Sequence, residues 1–196
     1  MQALLALSRR IDALNELVGK VVAWLILAAV LLSSINALIR YTFNESSNAW
    51  LEGQWYLFSA VFLLCAGYTL RRDEHIRIDI ISARLGARAR AWIDVLGGLF
   101  FLLPATILIM VLSWPMVVDS YERHEMSSNA GGLLRWPAKV LIPAGLLLLA
   151  IQGISEIIKR VAFLSGRGPD PAGMTGHARP DQDKPLDTTL AEEHAA

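Results

Sequence analysis

KVVAWLILAAVLLSSINALIR, residues 20 to 40, carries no charged side chain between Lys20 and Arg40. At helical rise about 20 apolar residues cross the hydrocarbon of a bilayer, so this stretch is long enough to span. It is too long for the core of a signal peptide, and INA before Arg40 makes a poor cleavage site. We read it as a retained transmembrane helix over about 20–39. Working outward, three more runs qualify, at about 50–70, 93–114 and 137–158. The whole 196-residue chain agrees with that reading: 54% of its residues are hydrophobic, 18% are charged, and the mean hydropathy is +0.43. The expected fold is an all-α membrane protein with four transmembrane helices. Pro137 and Pro143 fall in the first two turns of the fourth span, whereas Pro104 lies inside the third and predicts a kink.

Orientation follows from where Lys and Arg sit near the span ends. One side receives Arg9, Arg10 and Lys20, then Arg71, Arg72, Arg77, Arg84, Arg88 and Arg90, and finally Lys159, Arg160 and Arg167. The other side holds Arg40, Arg123, Arg135 and Lys139, accompanied by Glu45, Glu52, Asp119, Glu122 and Glu125. Both termini are therefore expected in the cytoplasm, and the arginines of 71 to 90 act as a topological stop that anchors the chain to anionic inner-leaflet lipids. Formal net charge is zero, and aromatic residues do not interleave the arginines, so no nucleic-acid partner is expected.

Residues 1–19 read as a separate amphipathic helix at the inner interface or against a partner helix. Leu4, Leu7, Ile11, Leu14 and Val18 form its apolar stripe. Between spans two and three, 75–80 alternates polar and apolar residues and feeds a basic interfacial helix, SARLGARARAW. The four-span domain covers 20–164. Residues 165–196, rich in Pro, Gly and Asp, are expected to form a disordered cytoplasmic tail.

A chain that carries a polar solute alone needs ionisable or strongly polar groups in mid-membrane. The span centres offer little beyond Asn36, Gln152 and a few hydroxyls. Asn36 and Gln152 are expected to hydrogen-bond between helices, and Asp94 to sit at the start of the third helix, where the macrodipole favours a carboxylate. All four histidines lie in connections or the tail, Cys65 has no second cysteine to pair with, and no catalytic or metal-binding motif is present. No catalytic residue, metal ligand or cofactor is expected. Glu52, about one turn into the second span beside Trp50 and Trp55, has two readings: an ion pair with Arg40 that closes the first helical hairpin, or a docking point for another subunit.

The run IRYTFNESSNAWLEGQWYLFSAVFLLCAGYTLRRDEHIRIDII resembles the small membrane subunit of tripartite ATP-independent periplasmic (TRAP) transporters. The resemblance rests on a Trp-x-Glu element (Trp50, Glu52) followed by Arg71, Arg72, Glu74, His75, Arg77 and Asp79 in the inner loop. SSNAGGLLRWPAKVLIPAGLLLLAIQGISEIIKRV is similar to the end of the same subunit in its mannitol/chloroaromatic branch, and the two runs cover a little under half the chain. Many relatives have two adjacent acidic residues where this chain has Glu52 and Gly53. The resemblance implies a non-catalytic subunit of the inner membrane that scaffolds a large multispan permease subunit, the carrier of the substrate and sodium sites. A periplasmic substrate-binding protein would deliver an organic acid. Trp50 and Glu52 match the start of the second helix in that subunit, and together with Arg40, Trp55, Glu122 and Arg135 they are the expected interface residues, the last two on a loop expected to meet the binding protein. The alternative from a different class is a self-contained homo-oligomeric four-helix transporter or channel, lined by Asn36, Gln152 and glycines 67, 97, 98 and 145. A membrane anchor for a redox enzyme is the third.

Overall fold

The computed structural model describes residues 2–44, 47–72 and 86–168. Among them every regular element is helical, apart from one isolated bridge between Met126 and Leu134. In chain order they are α1 (Gln2–Phe43), α2 (Asn48–Leu64), α3 (Ala66–Arg72), α4 (Ala87–Gly97), a π-turn (Gly98–Leu102), α5 (Leu103–Glu122) and α6 (Trp136–Leu164). Four helical units are long and apolar enough to cross a membrane: Gln2–Phe43, Asn48–Arg72, Ala87–Glu122 and Trp136–Leu164. Glu74, His75, Arg77, Asp79 and Arg84, in the second connection, lie outside the described residues, as does the tail from 169 onward.

The first correction concerns α1. The expected break between a helix over 1–19 and a span over 20–39 does not exist; a single helix of 42 residues covers both. No proline interrupts it, and Gly19 is no stop, because the Tyr68 ring packs against its α-carbon. The facing of the N-terminal half is also the reverse of a soluble amphipathic helix. Leu4, Leu7 and Leu14 are exposed, while Ser8, Asn15 and Gly19 are buried. Ser8, Asn15, Val22, Ala29 and Asn36 are all buried and recur every seven residues, the repeat that keeps one seam facing a neighbouring helix.

That neighbour set centres on α6, which packs against every other helical unit. Its buried positions are largely small or polar: Gly145, Ala150, Gln152, Gly153, Ser155 and Ala162. Close approach is the reason. A β-carbon at Gly145 would stand 2.5 Å from the Leu63 carbonyl oxygen, and backbone cannot yield as a flexible side chain can, so only glycine lets α2 and α6 meet there. In lipid, where leucine is as well solvated outside as inside, small residues and polar contacts hold helices together. The large apolar side chains point outward accordingly, among them Trp24, Phe62, Phe101 and Leu112.

Two helices depart from regular geometry. Pro104 has no N–H to donate, and the turn before it widens: the Leu103 N–H reaches back five residues to the Gly98 carbonyl. The expected kink thus takes the form of a π-turn. The second span is divided at Cys65, where the Thr69 hydroxyl donates to the Cys65 and Ala66 carbonyls at 3.2 and 3.0 Å, a side-chain competition that bends helices.

Candidate functional site

Two polar assemblies stand at opposite ends of the bundle. At the end that carries the 123–135 loop, Asn48, Glu52 and Tyr56 occupy one face of α2 at i, i+4 and i+8. All three hold that loop. Asn48 Nδ2 donates to the Ala130 carbonyl at 2.9 Å, and the Tyr56 hydroxyl donates to the Leu134 carbonyl at 2.9 Å. Glu52 lies between them, 5% exposed. Its Oε1 accepts from the Ser127 hydroxyl and from Asn129 Nδ2 at 2.9 Å, and its Oε2 accepts from the Leu133 N–H at 2.7 Å.

The loop is built to receive that carboxylate. Ser127 N–H donates to the Leu133 carbonyl and Arg135 N–H to the Glu125 carbonyl, both at 2.9 Å, which folds 125–135 back on itself. A β-carbon at Gly132 would stand 2.8 Å from Glu52 Oε1 and 2.5 Å from the Ser127 β-carbon, so glycine is required at the contact. Below the turn, Glu125 meets Lys139 directly and Arg135 at 3.4 Å. The Lys139 ammonium holds the Glu125 carboxyl down to about 2 from its usual 4.5, so this carboxylate stays charged at physiological pH.

This geometry corrects the hairpin reading of Glu52. Its partners lie on the loop, and among the described residues it makes no ion pair with Arg40, which is exposed at the end of α1. Trp50 and Trp55 flank it with exposed rings. Arg135 belongs to the same cluster through Glu125 and through Ser128 Oγ at 3.3 Å. Glu122 is exposed at the last residue of α5, where no contact joins it to Glu52 among the described residues. Asn48, Ser127, Asn129 and Gly132 are not expected in the site from the sequence, and Tyr56 is placed beside Glu52 without a role; the four-residue spacing of Asn48, Glu52 and Tyr56 was the available signal.

At the opposite end, α1 is locked to the last turns of α6. Ser8 Oγ and Ser155 Oγ share a hydrogen bond at 2.7 Å, and Asn15 Nδ2 donates to Gln152 Oε1 at 2.9 Å. Gln152 Nε2 in turn donates to Asp12 at 2.8 Å and Glu156 at 3.1 Å, while Ser155 donates to Asp12 at 2.9 Å. Lys159 sits against both carboxylates, 3.2 Å from Asp12. The interhelical hydrogen bond expected of Gln152 is present. Asn36 differs: it is buried but makes no side-chain hydrogen bond among the described residues.

Asp94 is corrected too. The helix begins at Ala87, so Asp94 lies beyond its first turn, and it pairs with Arg160 at 2.7 Å instead of with the helix terminus. Of the topology arginines, Arg71 bridges to Glu16 at 2.7 Å, Arg72 lies over the Tyr68 ring at 5.3 Å, and Arg88 and Arg90 are exposed in the first turn of α4.

Comparison with known proteins gives two matches. A family model described as "Tripartite ATP-independent periplasmic transporters, DctQ component" matches residues 29–163. A C4-dicarboxylate TRAP transporter small permease protein from Vibrio cholerae serotype O1 is 29% identical over 103 residues, which are 53% of this chain and 43% of that relative. The chain therefore spans less than half the length of the curated relative it matches. No solved structure matches it.

Proposed function

From the premise that the chain belongs to the DctQ-component family of TRAP transporters, whose members are transporter components and not enzymes, we propose that it scaffolds a large multispan permease subunit in the inner membrane. In this reading the large subunit carries the substrate and coupling-ion sites, sodium being the ion, and a periplasmic binding protein brings an organic acid to the loop end. The run from Ser127 to Val161 is the basis for placing it in the mannitol/chloroaromatic branch. The excess of Lys and Arg at the end that holds the start of α1, α3, the start of α4 and the end of α6 supports a cytoplasmic location for that end.

One observation carries the reading. Asp12, Gln152, Ser155, Glu156 and Lys159, between α1 and α6, are bonded to one another, while the large side chains that face outward from the spans are mostly apolar. A group already spent on holding two helices together is not available to replace a solute's hydration shell. The bundle offers its surroundings surface to pack against.

Affinity purification of the tagged chain from its native membrane is expected to recover one large multispan protein in one-to-one proportion. In right-side-out vesicles, a cysteine placed at Ser128 should react with a membrane-impermeant maleimide and one placed at Arg9 should not. Uptake of organic acid by liposomes containing this chain alone would overturn the scaffold assignment and favour a homo-oligomeric carrier.

A further inference from the structure

Beside the loop clamp a cleft of about 250 Å³ opens between α2, the loop and the first turn of α6. Trp55, Tyr56, Glu52, Arg135 and Lys139 line it. Its position is set by the spans: Trp55 and Tyr56 stand two turns into α2, and Lys139 stands in the first turn of α6. The cleft therefore opens where hydrocarbon gives way to headgroups, the depth at which Trp and Tyr concentrate. It is smaller than the roughly 300–1,000 Å³ of pockets for drug-sized ligands, which leaves room for a headgroup but not for acyl chains.

Its charges are of both signs. Arg135 reaches its partners only at 3.3 and 3.4 Å, long contacts that leave guanidinium N–H groups for another acceptor, and Lys139 has two N–H donors beyond the one it gives Glu125. Glu52 supplies the negative charge. It is a nearly buried carboxylate that makes no ion pair among the described residues. Two donors fill Oε1 and one occupies Oε2, so one acceptor position remains on Oε2. A buried carboxylate gains most from a cationic donor. The Trp55 ring, 62% exposed, adds a face that attracts cations.

We propose that this cleft seats the headgroup of a zwitterionic phospholipid bearing a primary ammonium. The phosphate faces Arg135 and Lys139, and the ammonium donates to Glu52 beside Trp55. A trimethylammonium group has no N–H to give Oε2, and an anionic glycerol headgroup has no cation for Glu52. The acyl chains stay outside, along the apolar flank of α2. This inference does not depend on which large subunit the chain accompanies.

The test is native mass spectrometry of the full chain in maltoside micelles supplied with equal amounts of dioleoyl phosphatidylethanolamine, phosphatidylcholine and phosphatidylglycerol. Retention of the ethanolamine lipid about ten-fold above the other two is expected, the selectivity that one charge-assisted hydrogen bond supplies. Soluble phosphoethanolamine in excess should compete weakly, since it lacks the tails; competition as strong as by the intact lipid would overturn the membrane source. W55L changes an exposed ring without touching the clamp, and R135Q removes one cationic partner of the phosphate; each should lower ethanolamine-lipid retention several-fold. Equal retention of the three lipids, a preference for phosphatidylglycerol, or undiminished retention in the folded W55L protein would each overturn the proposal.

Discussion

Replacement of Gln152 by leucine is expected to lower the stability of the helical bundle by about 2 kcal/mol, summing three interhelical or cluster hydrogen bonds at roughly 0.6 kcal/mol each. Leucine conserves volume and is at home in a membrane, so neither a cavity nor a solvation penalty on the new side chain explains the loss. What is lost is the hub. Asn15 Nδ2, Asp12 and Glu156 all bond Gln152, and its removal leaves an amide and part of two carboxylates without that partner in a place where water replaces it poorly. Substitution of the outward-facing Leu112 by alanine should change stability by no more than about 0.5 kcal/mol, as for other surface sites. Unfolding of both variants in mixed micelles, followed by helical circular dichroism, separates the two outcomes. If Gln152→Leu unfolds with the wild-type midpoint, the lock contributes nothing and α1 is held by its seam alone.

Glu52→Lys should release the 123–135 loop. The three donors that converge on the carboxylate would face an ammonium that accepts nothing, and Gly132, which lies against the carboxylate, leaves no space for the longer side chain. Cleavage after Arg123 or Arg135 by trypsin is expected to become about ten-fold faster, since local opening sets the rate at which a folded loop is cut. Recovery of the large multispan partner should fall with it. An unchanged digestion pattern together with normal recovery would mean that the clamp neither orders the loop nor serves assembly.

The spans were legible because hydrocarbon thickness imposes a length on apolar runs, and all four are found at helices that include the expected residues. Their ends were not. Nothing in ALLALSRRIDALNELVGK distinguishes a helix that stops at Gly19 from one that continues. A mid-helix glycine costs only about 1 kcal/mol, which contact with Tyr68 offsets. The inverted facing of Leu4, Leu7 and Leu14 has a related cause. An apolar stripe points inward when the alternative is water, but when the alternative is lipid, the side with Ser8, Asp12 and Asn15 gains more by packing. The clamp was half visible: Glu52 stood out as a charge near a span end, but its partners lie 75 to 81 residues away, and no local pattern announces a contact at that separation.

The unbroken first helix has a mechanical consequence. Its 42 residues make a rod about 63 Å long at 1.5 Å per residue, twice the roughly 30 Å of the oily layer. Leaning at about 40°, the steep end of what such rods adopt, it would still need about 48 Å. Some of its leucine-studded flank therefore stands beyond the lipid tails at any inclination, where headgroups or another polypeptide must cover it. Lacking a joint, the rod transmits a push at its protruding tip along its whole length to the far rim of the bundle.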